Sequence, residues 1–345
     1  MLASVSGPRR LHVTGASGSG TTTLGRRLAA RFGVAHLDTD AYYWAPTDPP
    51  FREARPADER LGRLRAALDA AGEWVLSGSL GRWADPLKGR LGEVVLLAAP
   101  TPVRLARLRA REAAAFGAAL EPGGPLHEQH LEFLRWAGSY DEGPVTQRSR
   151  AFHEAWLAEL TCPVLRLDGE RPPAEAEAIV IAWCAAPVLR RQAARALVLD
   201  PQDRLLLLRI REPEAGRELW LAPGGGLEPG EEPVAALRRE LAEEVGLTDA
   251  RVGPAVWTRR HAFTWGRRRY DQQETFFLVR APAGFAPTLD GNPAAAERAA
   301  SVELRWWTAA EIAASAATFV PRRLAHELAR LRGEGPPLAP RDVGV

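Results

Sequence analysis

The sequence predicts two α/β domains in tandem, the first with a parallel sheet and the second with a mixed sheet. The chain has 345 residues, of which 46% are hydrophobic and 26% charged, a size that suits about two globular domains. In the first half, apolar runs alternate with amphipathic helical patterns, and strands separated by helices form a parallel sheet covered on both faces. From about residue 190 the pattern changes to paired strands, which predicts a domain boundary in the stretch CAAPVLRR.

The first domain, residues 1–186, starts with a strand in RLHVTG, a helix in TTLGRRLAARFG and a short strand ending at AHLDTD. A helix in ADERLGRLRAALDA, strands in EWVLSGS and EVVLLAA and an arginine-rich helix in PVRLARLRAREAAAF follow. After the loop EPGGP, a further helix and the strand CPVLRLDG complete a three-layer βαβ series.

The second domain, residues 187–333, opens with the strands RALVLD and RLLLLRI around the turn PQD, and closes with the helix RRLAHELARLR. This pattern of paired strands and helices is typical of an α+β domain. Residues 334–345 are rich in Pro and Gly, a composition that predicts a disordered tail.

Charge and cysteine content narrow the function classes. The net charge of +2 does not make a surface that attracts DNA or RNA, so nucleotide-type small molecules are the expected ligands. The N-terminal segment MLASVSGPRRLHV has no apolar core of signal-peptide length, the longest apolar stretch, AIVIAWCAAPVL, is shorter than a membrane span, and a cytoplasmic location is expected. Cys162 and Cys184 have no metal-binding or disulfide spacing and are expected to be buried. The oligomeric state stays open.

A glycine-rich turn, GASGSGTT, lies between the first strand and the first helix. In that setting, backbone N–H groups and a helix N-terminus point at a phosphate, as in a P-loop. Thr21 occupies the place of the lysine in the Walker A pattern G-x-x-x-x-G-K-[ST]. The predicted residues for ATP or another nucleotide are Gly15, Ser17, Gly18, Ser19, Gly20, Thr21 and Thr22.

Residues 10 to 182 resemble the adenylate kinase and shikimate kinase branch of P-loop kinases. The resemblance implies that Thr22 binds Mg²⁺ and that Asp38 or Asp40 binds the acceptor or organises the metal, whereas a helix cap or a turn is the alternative for the two aspartates. It also implies that Arg107 and Arg111 close over the phosphates as lid arginines, whereas an ordinary exposed helix face is the alternative for both.

The missing lysine leaves three outcomes open. Lys88 is the only lysine and the other 44 of 45 basic residues are arginine, so drift in composition would have placed arginine at position 21. Another cation, from Lys88, Arg82 or the lid arginines, reaches the phosphates, or phosphoryl transfer is slow, or the domain only binds nucleotide.

The strongest chemical signal is the segment GGLEPGEEPVAALRRELAEEVGL, residues 225–247. Pro233 suits the first turn of a helix and Gly246 its end. Between them Glu240, Glu243 and Glu244 fall on one helix face, where their mutual repulsion favours a bound cation. Hard carboxylate oxygens select Mg²⁺ or Mn²⁺.

This segment matches the Nudix box, G-x5-E-x7-R-E-U-x-E-E-x-G-U, at every fixed position, and the second domain therefore resembles the Nudix hydrolases. The resemblance implies an α/β/α sandwich with a mixed sheet and cleavage of a nucleoside diphosphate linked to another group. Glu240, Glu243 and Glu244 then bind the metal and activate water, with Gly225 part of the metal site. Glu231 and Arg239 orient loop and helix as an ion pair. Which glutamate is the general base stays open.

Candidates outside the box are weaker, and surface or core positions are the alternatives for all of them. Glu274 and Glu297 are candidates for an additional metal-site carboxylate. The aromatic candidates for stacking on a base and the arginine candidates for phosphate binding are Trp220, Trp257, Phe263, Arg195, Arg259 and Arg260.

Two hypotheses of different class follow. The chain is either a bifunctional enzyme, with a kinase joined to a Nudix pyrophosphohydrolase, or a single Nudix enzyme regulated by an inactive nucleotide-binding domain. A Nudix fold used purely for ligand binding is disfavoured, because every carboxylate of the box is present.

Overall fold

A computed structural model describes residues 9–48, 50–213, 216–291 and 299–344. The chain divides into two compact units, Met1–Ala186 (unit 1) and Pro187–Val345 (unit 2). The division falls inside the stretch CAAPVLRR, where the hydrophobic pattern of the sequence changes.

Unit 1 contains a five-stranded sheet in the order β2-β3-β1-β4-β5. Its strands are β1 (Arg10–Gly15), β2 (Ala35–Asp38), β3 (Trp74–Ser77), β4 (Glu93–Ala98) and β5 (Val164–Asp168). All neighbouring pairs are parallel. The strand order reverses around β1, and ligands of such sheets bind at the carboxyl ends of the strands at this point. The glycine-rich turn follows β1 and lies there.

Helices cover both faces of this sheet. They are α1 (Thr21–Phe32), α2 (Thr39–Tyr43), α3 (Ala57–Ala71), α4 (Thr101–Phe116), α5 (His127–Gly138), α6 (Arg150–Leu157) and α7 (Pro173–Ala185), with 3₁₀ turns at Arg82–Arg90 and Gly117–Leu120. Alternate strand residues point to opposite faces: Leu76 packs with α3 and α6, and Val75 packs with α1 and α7. The predicted three-layer arrangement is confirmed.

Unit 2 is built on a nine-stranded sheet with the path β13-β8-β7-β6-β11-β10-β14, with β12 beside β7 and β9 beside β6. Its strands are β6 (Val188–Leu199), β7 (Leu205–Arg211), β8 (Glu218–Leu221), β9 (Gly224–Gly226), β10 (Arg251–Trp265), β11 (Arg268–Arg280), β12 (Ser301–Trp307), β13 (Phe319–Val320) and β14 (Arg341–Asp342). β6 pairs with β11 in parallel, whereas β10 and β11 form an antiparallel hairpin, so the sheet is mixed as predicted.

The described helices of unit 2 are α8 (Pro233–Val245), α9 (Ala309–Ala314) and α10 (Leu324–Glu334). On one face of the sheet, Leu237 and Leu241 of α8 pack in a cluster with Val198 of β6. On the other face, the side chains of α10 pack in a cluster with Leu197 and Leu199. These two layers confirm the predicted α/β/α sandwich.

The prediction of a disordered tail over residues 334–345 is wrong for residues 341–343, whereas residues 335–340 form no helix or strand. Arg341 pairs with Trp257 in the short strand β14, and its guanidinium donates to Glu334 at 2.7 Å. Val343 is 3% exposed and belongs to the core beside α10. The Pro and Gly content of this segment does not reveal that Val343, directly after the paired residues of β14, packs in the core.

Cys162 and Cys184 are both buried, as small hydrophobic residues are, and form no disulfide, and burial raises the pKa of Cys162 to about 12. In the described part of the chain, every helix is too short or too polar to span a lipid bilayer.

Candidate functional site

The box residues of unit 2 form a loop followed by a helix at the edge of the sheet. The loop leaves β9 after Gly226, α8 begins at Pro233, and Gly246 ends α8 in the left-handed conformation at φ +73°. Gly224 has φ +125°, and a Cβ there would overlap the carbonyl oxygen of Ala194. Only glycine therefore allows β9 to lie this close to β6.

Arg239 connects the loop to the helix. Its Nε and Nη2 donate to the two carboxylate oxygens of Glu231 at 3.1 and 3.0 Å, a bidentate pair. Its Nη2 also donates to the carbonyl of Gly226 at 3.2 Å, and its Nη1 donates to Glu240 at 2.9 Å and Glu243 at 3.5 Å. One guanidinium thus orients the loop and two of the three helix carboxylates.

The helix carboxylates face the glycine loop directly. Glu244 accepts the backbone N–H of Gly224 at 2.7 Å. The carboxylate of Glu240 lies where a side chain at position 225 would be, since a Cβ on Gly225 would overlap its oxygen. The absence of a side chain at Gly225 is therefore the condition for Glu240 to reach the loop.

The charges of these groups stabilise one another. The hydrogen bonds from Arg239 lower the pKa of Glu231, and those to Glu231 and Glu240 raise the pKa of Arg239. Across the described residues, no three His, Cys, Asp or Glu side chains are grouped as they would be around a metal ion. The donor set still fits a hard divalent cation, because the carboxylates of Glu240 and Glu244 meet the glycine loop and Glu243 lies on the same helix within reach of Arg239.

A second charged cluster lies behind the loop on β6, β10 and β11. Glu274 is 3% exposed, and its Oε1 accepts from Nε of Arg195 at 3.0 Å and from Gln272 at 2.8 Å. Its Oε2 lies 3.4 Å from Nε of Arg259. Arg195 in turn donates to the carbonyl of Gly224. Glu274 is thus linked to the loop through Arg195.

Electrostatics keep this cluster ionised. Burial alone raises the pKa of Glu274, but Arg259, Arg195 and His261 together lower it to about 2. Burial, with Arg259 beside it, lowers the pKa of His261 to about 3, so its ring is neutral near pH 7. Glu274 is a buried anion between arginines and not an exposed surface acid.

The glycine-rich turn of unit 1 has the geometry of a phosphate loop. Gly18 and Gly20 adopt φ +81° and +102°, and the N–H of Ser19 donates to the carbonyl of Ala16 at 3.1 Å. A Cβ on Gly18 would lie 2.6 Å from the carbonyl oxygen of Arg104, so the turn also packs against α4. Its remaining backbone N–H groups precede the first turn of α1.

The predicted metal and acceptor residues of unit 1 lie beside this turn. Thr22 donates its hydroxyl hydrogen to Asp38 at 3.1 Å, and Asp38 also accepts the backbone N–H of Asp40 at the start of α2. Burial and the neighbouring Asp38 raise the pKa of Asp40, while Arg148 and Arg111 act in the opposite direction. The structure therefore brings Thr22, Asp38 and Asp40 together.

Comparison with known proteins assigns both units. A model of the NUDIX domain matches residues 189–328, and a model of an AAA domain matches residues 12–115. The uncharacterized protein YqaC of Bacillus subtilis is 43% identical over 162 residues, covering 47% of this chain and 89% of that protein. The chain belongs to the same family as YqaC, and it carries an AAA domain joined to a NUDIX domain.

Two further relatives match the chain. The RNA pyrophosphohydrolase of Halorhodospira halophila is 36% identical over 97 residues, which cover 24% of this chain and 49% of that protein. The crystal structure of the MutT protein from Methanosarcina mazei Go1 is 20% identical, with a TM-score of 0.33, covering 43% of this chain and 96% of that one.

The cations proposed to replace the Walker A lysine are placed differently around the AAA domain. Arg107 reaches the phosphate loop and donates to the carbonyls of Gly169 at 2.8 Å and Ser19 at 3.5 Å. Arg111 instead pairs with its neighbour Glu112 at 2.7 Å. Lys88 is held by Asp85 and Glu159 at 2.8 and 2.5 Å, and Arg82 lies over the ring of Phe152.

Two of the three aromatic candidates in the Nudix domain belong to the core. Trp220 is 6% exposed and packs edge-on against Trp307, and Trp257 packs against Phe276. The expectation that Trp220 or Trp257 stacks on a base is corrected by this burial, since neither ring has an open face. Phe263 differs, because it is partly exposed in a stack with other rings.

That stack links the β10–β11 hairpin to the glycine loop. Phe263 lies between His261 and Tyr270, with ring centroids 4.8 and 5.0 Å apart. The guanidinium of Arg191 lies 4.6 Å from the centroid of the Tyr270 ring, and a Cβ on Gly226 would lie 3.2 Å from its Nη1.

The remaining candidates fall outside this arrangement. Arg260 pairs with Asp271 at 2.7 Å on the surface, so it is an exposed ion pair and not part of the buried cluster. Glu297 lies outside the described residues. Arg195 and Arg259 are the two candidate arginines that the structure places in the cluster around Glu274.

Unit 1 contains a buried polar chain that no sequence pattern predicted. Ser79 Oγ lies 2.8 Å from Nε2 of His153, whose Nδ1 lies 2.7 Å from the hydroxyl of Tyr140. Burial lowers the pKa of His153 to about 3 and raises that of Tyr140. These three residues are up to 74 positions apart, so only the fold reveals them.

Proposed function

We propose that the chain is a divalent-metal-dependent pyrophosphohydrolase that cleaves a nucleoside diphosphate linked to another group, and that its AAA domain binds ATP or another nucleotide. The first part follows from the match to the NUDIX domain, because membership of that family indicates a hydrolase that acts on phosphoric anhydrides. The observation that carries it is the contact of the Glu240 and Glu244 carboxylates with the Gly224–Gly225 loop.

The roles of the chain's own residues follow from these contacts. Glu240, Glu243 and Glu244 would hold Mg²⁺ or Mn²⁺, which when bound supplies Lewis-acid stabilisation of charge on the phosphate oxygens. Arg239 and Glu231 are positioning residues, because their bidentate pair fixes the loop against the first turns of α8. Glu274 holds Arg195 against the carbonyl of Gly224 and so supports the same loop from behind.

The substrate side of the site is supported by the ring stack at the hairpin. The guanidinium of Arg191 lies over the ring of Tyr270, and both faces of Phe263 are covered by Tyr270 and His261 within the stack. The stack therefore offers a cation held by aromatic rings, which suits a substrate phosphate. We therefore favour small nucleotide-type substrates over long nucleic acids, in keeping with the net charge of +2.

A second candidate function, phosphoryl transfer by the AAA domain, is favoured by Thr22, Asp38 and Asp40 at the end of the phosphate loop. The alternative is that this domain binds nucleotide and regulates the hydrolase without transferring phosphate.

The test is a hydrolysis screen of the full chain with Mg²⁺, over nucleoside triphosphates, dinucleoside polyphosphates, nucleotide sugars and oxidised nucleotides, with and without ATP. We expect Glu244→Gln to lower kcat about 100-fold or more, a loss in the range typical of removed catalytic groups. Glu228→Gln, at an exposed position of the same loop, is the matched control and should retain activity. Equal rates for wild type and Glu244→Gln would refute the site.

ATP also separates the two candidate functions. Transfer of the γ-phosphoryl group of ATP to an added acceptor supports a kinase, whereas a change in the hydrolysis rate on ATP addition without transfer supports regulation. Loss of both effects in Gly18→Val would assign them to the phosphate loop, because this position combines φ +81° with a close backbone contact.

A further inference from the structure

The phosphate loop of the AAA domain has Thr21 at the position of the Walker A lysine, and Thr21 supplies no positive charge. A polyphosphate held by backbone N–H groups alone lacks the charge stabilisation on which phosphoryl-transfer sites depend. The loop therefore needs a cation from elsewhere in the fold if it is to hold a nucleotide tightly.

Most arginines near the loop already have other partners. Arg104 is fully buried, and its guanidinium donates to the carbonyls of Ala99 and Ala137 at 3.0 Å and to the hydroxyl of Thr101 at 2.7 Å. Arg107 approaches the loop from the side of Gly169 and donates to backbone carbonyls there. Both guanidinium groups mainly hold the backbone together.

Arg148 occupies a different position. It precedes α6 and reaches back over 133 residues to donate from Nη2 to the carbonyl of Gly15 at 3.0 Å, at the first residue of the loop. Its guanidinium lies 5.5 Å from the centroid of the Trp136 ring. Its Nε is buried and has no hydrogen-bond partner among the described residues. A buried N–H donor without a partner is costly unless a ligand completes it.

The electrostatic setting points the same way. Burial lowers the pKa of Arg148, and the Asp40 carboxylate opposes that shift. The guanidinium therefore contacts the loop at Gly15 and interacts electrostatically with Asp40, the acid next to which the acceptor is expected. An arginine remains charged in such a place and can bind two phosphate oxygens at once.

We propose that Arg148, in the segment before α6 of the same chain, supplies the positive charge that Thr21 does not give the phosphate loop. This proposal rests on the proposed nucleotide binding by the AAA domain and assigns a phosphate-binding residue to it. In this structure, the guanidinium of Arg148 is hydrogen-bonded to the carbonyl of Gly15. On nucleotide binding it would turn from this carbonyl to the terminal phosphates.

The experiment measures the Kd of the full chain for Mg²⁺ with β,γ-imido-ATP by calorimetry, with Gly18→Val defining the share of binding that belongs to the loop. We expect Arg148→Ala and Arg148→Gln to raise the Kd about 10- to 100-fold, the effect of one charge-assisted contact. Arg150→Ala is the matched control, since Arg150 is exposed and pairs with Asp141. It should change the Kd by less than about twofold.

The decisive variant combines Arg148→Ala with Thr21→Lys. Restoring the lysine of the Walker A pattern should recover about tenfold or more of the lost affinity, which a misfolded protein would not do. If Arg148→Ala binds like wild type while Gly18→Val does not, Arg148 is not the cation and nucleotide binding by the loop stands. If Gly18→Val binds like wild type, both the loop assignment and this proposal fail.

Discussion

The glycine loop of the Nudix domain and the phosphate loop of the AAA domain both have charged side chains around them, but these side chains come from different distances along the chain. Around α8, both charges of each main contact come from one segment of 23 residues, from Gly225 to Leu247. Around the phosphate loop, the nearest positive charges come from Arg104, Arg107 and Arg148, far along the chain. A site built from one segment is readable from sequence, whereas a site completed by distant residues is visible only in the fold.

The largest effect is expected where the Nudix domain departs from this rule, at the buried Glu274. Glu274→Gln removes the anion between Arg195 and Arg259, and leaving a buried charge without its partner costs about 3–5 kcal/mol in the free energy of unfolding. Urea unfolding at pH 7 measures this loss. Asp271→Asn, which breaks the pair with the exposed Arg260, should cost at most about 1 kcal/mol.

The same variant has a defined pH dependence. Because the folded-state pKa of Glu274 is about 2 and its ordinary value is 4.5, the carboxylate stabilises the fold above about pH 4.5. That contribution is lost as the pH falls towards 2, so the difference in unfolding free energy between wild type and Glu274→Gln should shrink over this interval. A difference that stays constant between pH 7 and pH 3 would contradict the assigned ion pairs.

The next effect concerns the contact between loop and helix. Gly225→Ala places a Cβ against the carboxylate of Glu240, and we expect kcat to fall about 100-fold because that carboxylate is displaced. Gly226→Ala is the matched comparison, since its Cβ would meet only the end of the Arg191 side chain at 3.2 Å. Equal losses in the two variants would mean that Glu240 does not depend on the open backbone.

Arg239→Lys tests how far one guanidinium serves several carboxylates. Lysine keeps the charge but cannot bind Glu231 in a bidentate manner while also reaching Glu240. A drop of about tenfold in kcat/KM is expected, from the 1.4 kcal/mol of one weakened contact. Steady-state kinetics across a Mg²⁺ titration would locate the loss, and unchanged kinetics would show that charge alone suffices.

The smallest effect is expected for Arg107. Comparison of its substitution with that of Arg148 separates the contributions of these two arginines to nucleotide binding. Arg107→Ala removes donors to the carbonyls of Gly169 and Ser19, so we expect about a threefold change in nucleotide Kd, close to the value of one ordinary hydrogen bond. Arg109→Ala, at an exposed position of the same helix, is the control. A loss larger than that of Arg148→Ala would reverse their proposed roles.

Local patterns in the sequence were sufficient to predict the two-domain fold class, the mixed sheet of the second domain and the short strands of the first. Period-two and period-3.6 patterns are set by which face is buried, so β1, α1 and α8 were predictable. The course of the chain end was not, because the burial of Val343 depends on the space beside α10 and not on neighbouring residues.

Within the sites, the contacts of Glu231 and Arg239 followed from a motif, since both residues lie in one segment. The status of Trp220 and Glu274 did not. A buried ring and a stacking ring have the same sequence signature, and an acid on a strand is exposed or buried according to the arginines that reach it from other strands. The assigned catalytic and binding roles stay predictions that the variants above test.

The hydrogen bond from the Gly224 N–H to Glu244 gives an amide whose hydrogen exchange can be followed when a cation binds at the loop. A carboxylate that turns towards a cation releases that amide, which then exchanges its hydrogen with solvent on a different timescale. If Glu244 binds the proposed cation, deuterium uptake at Gly224 would follow occupancy of the site without any substrate being cleaved, and it would separate loss of the metal from loss of the chemistry.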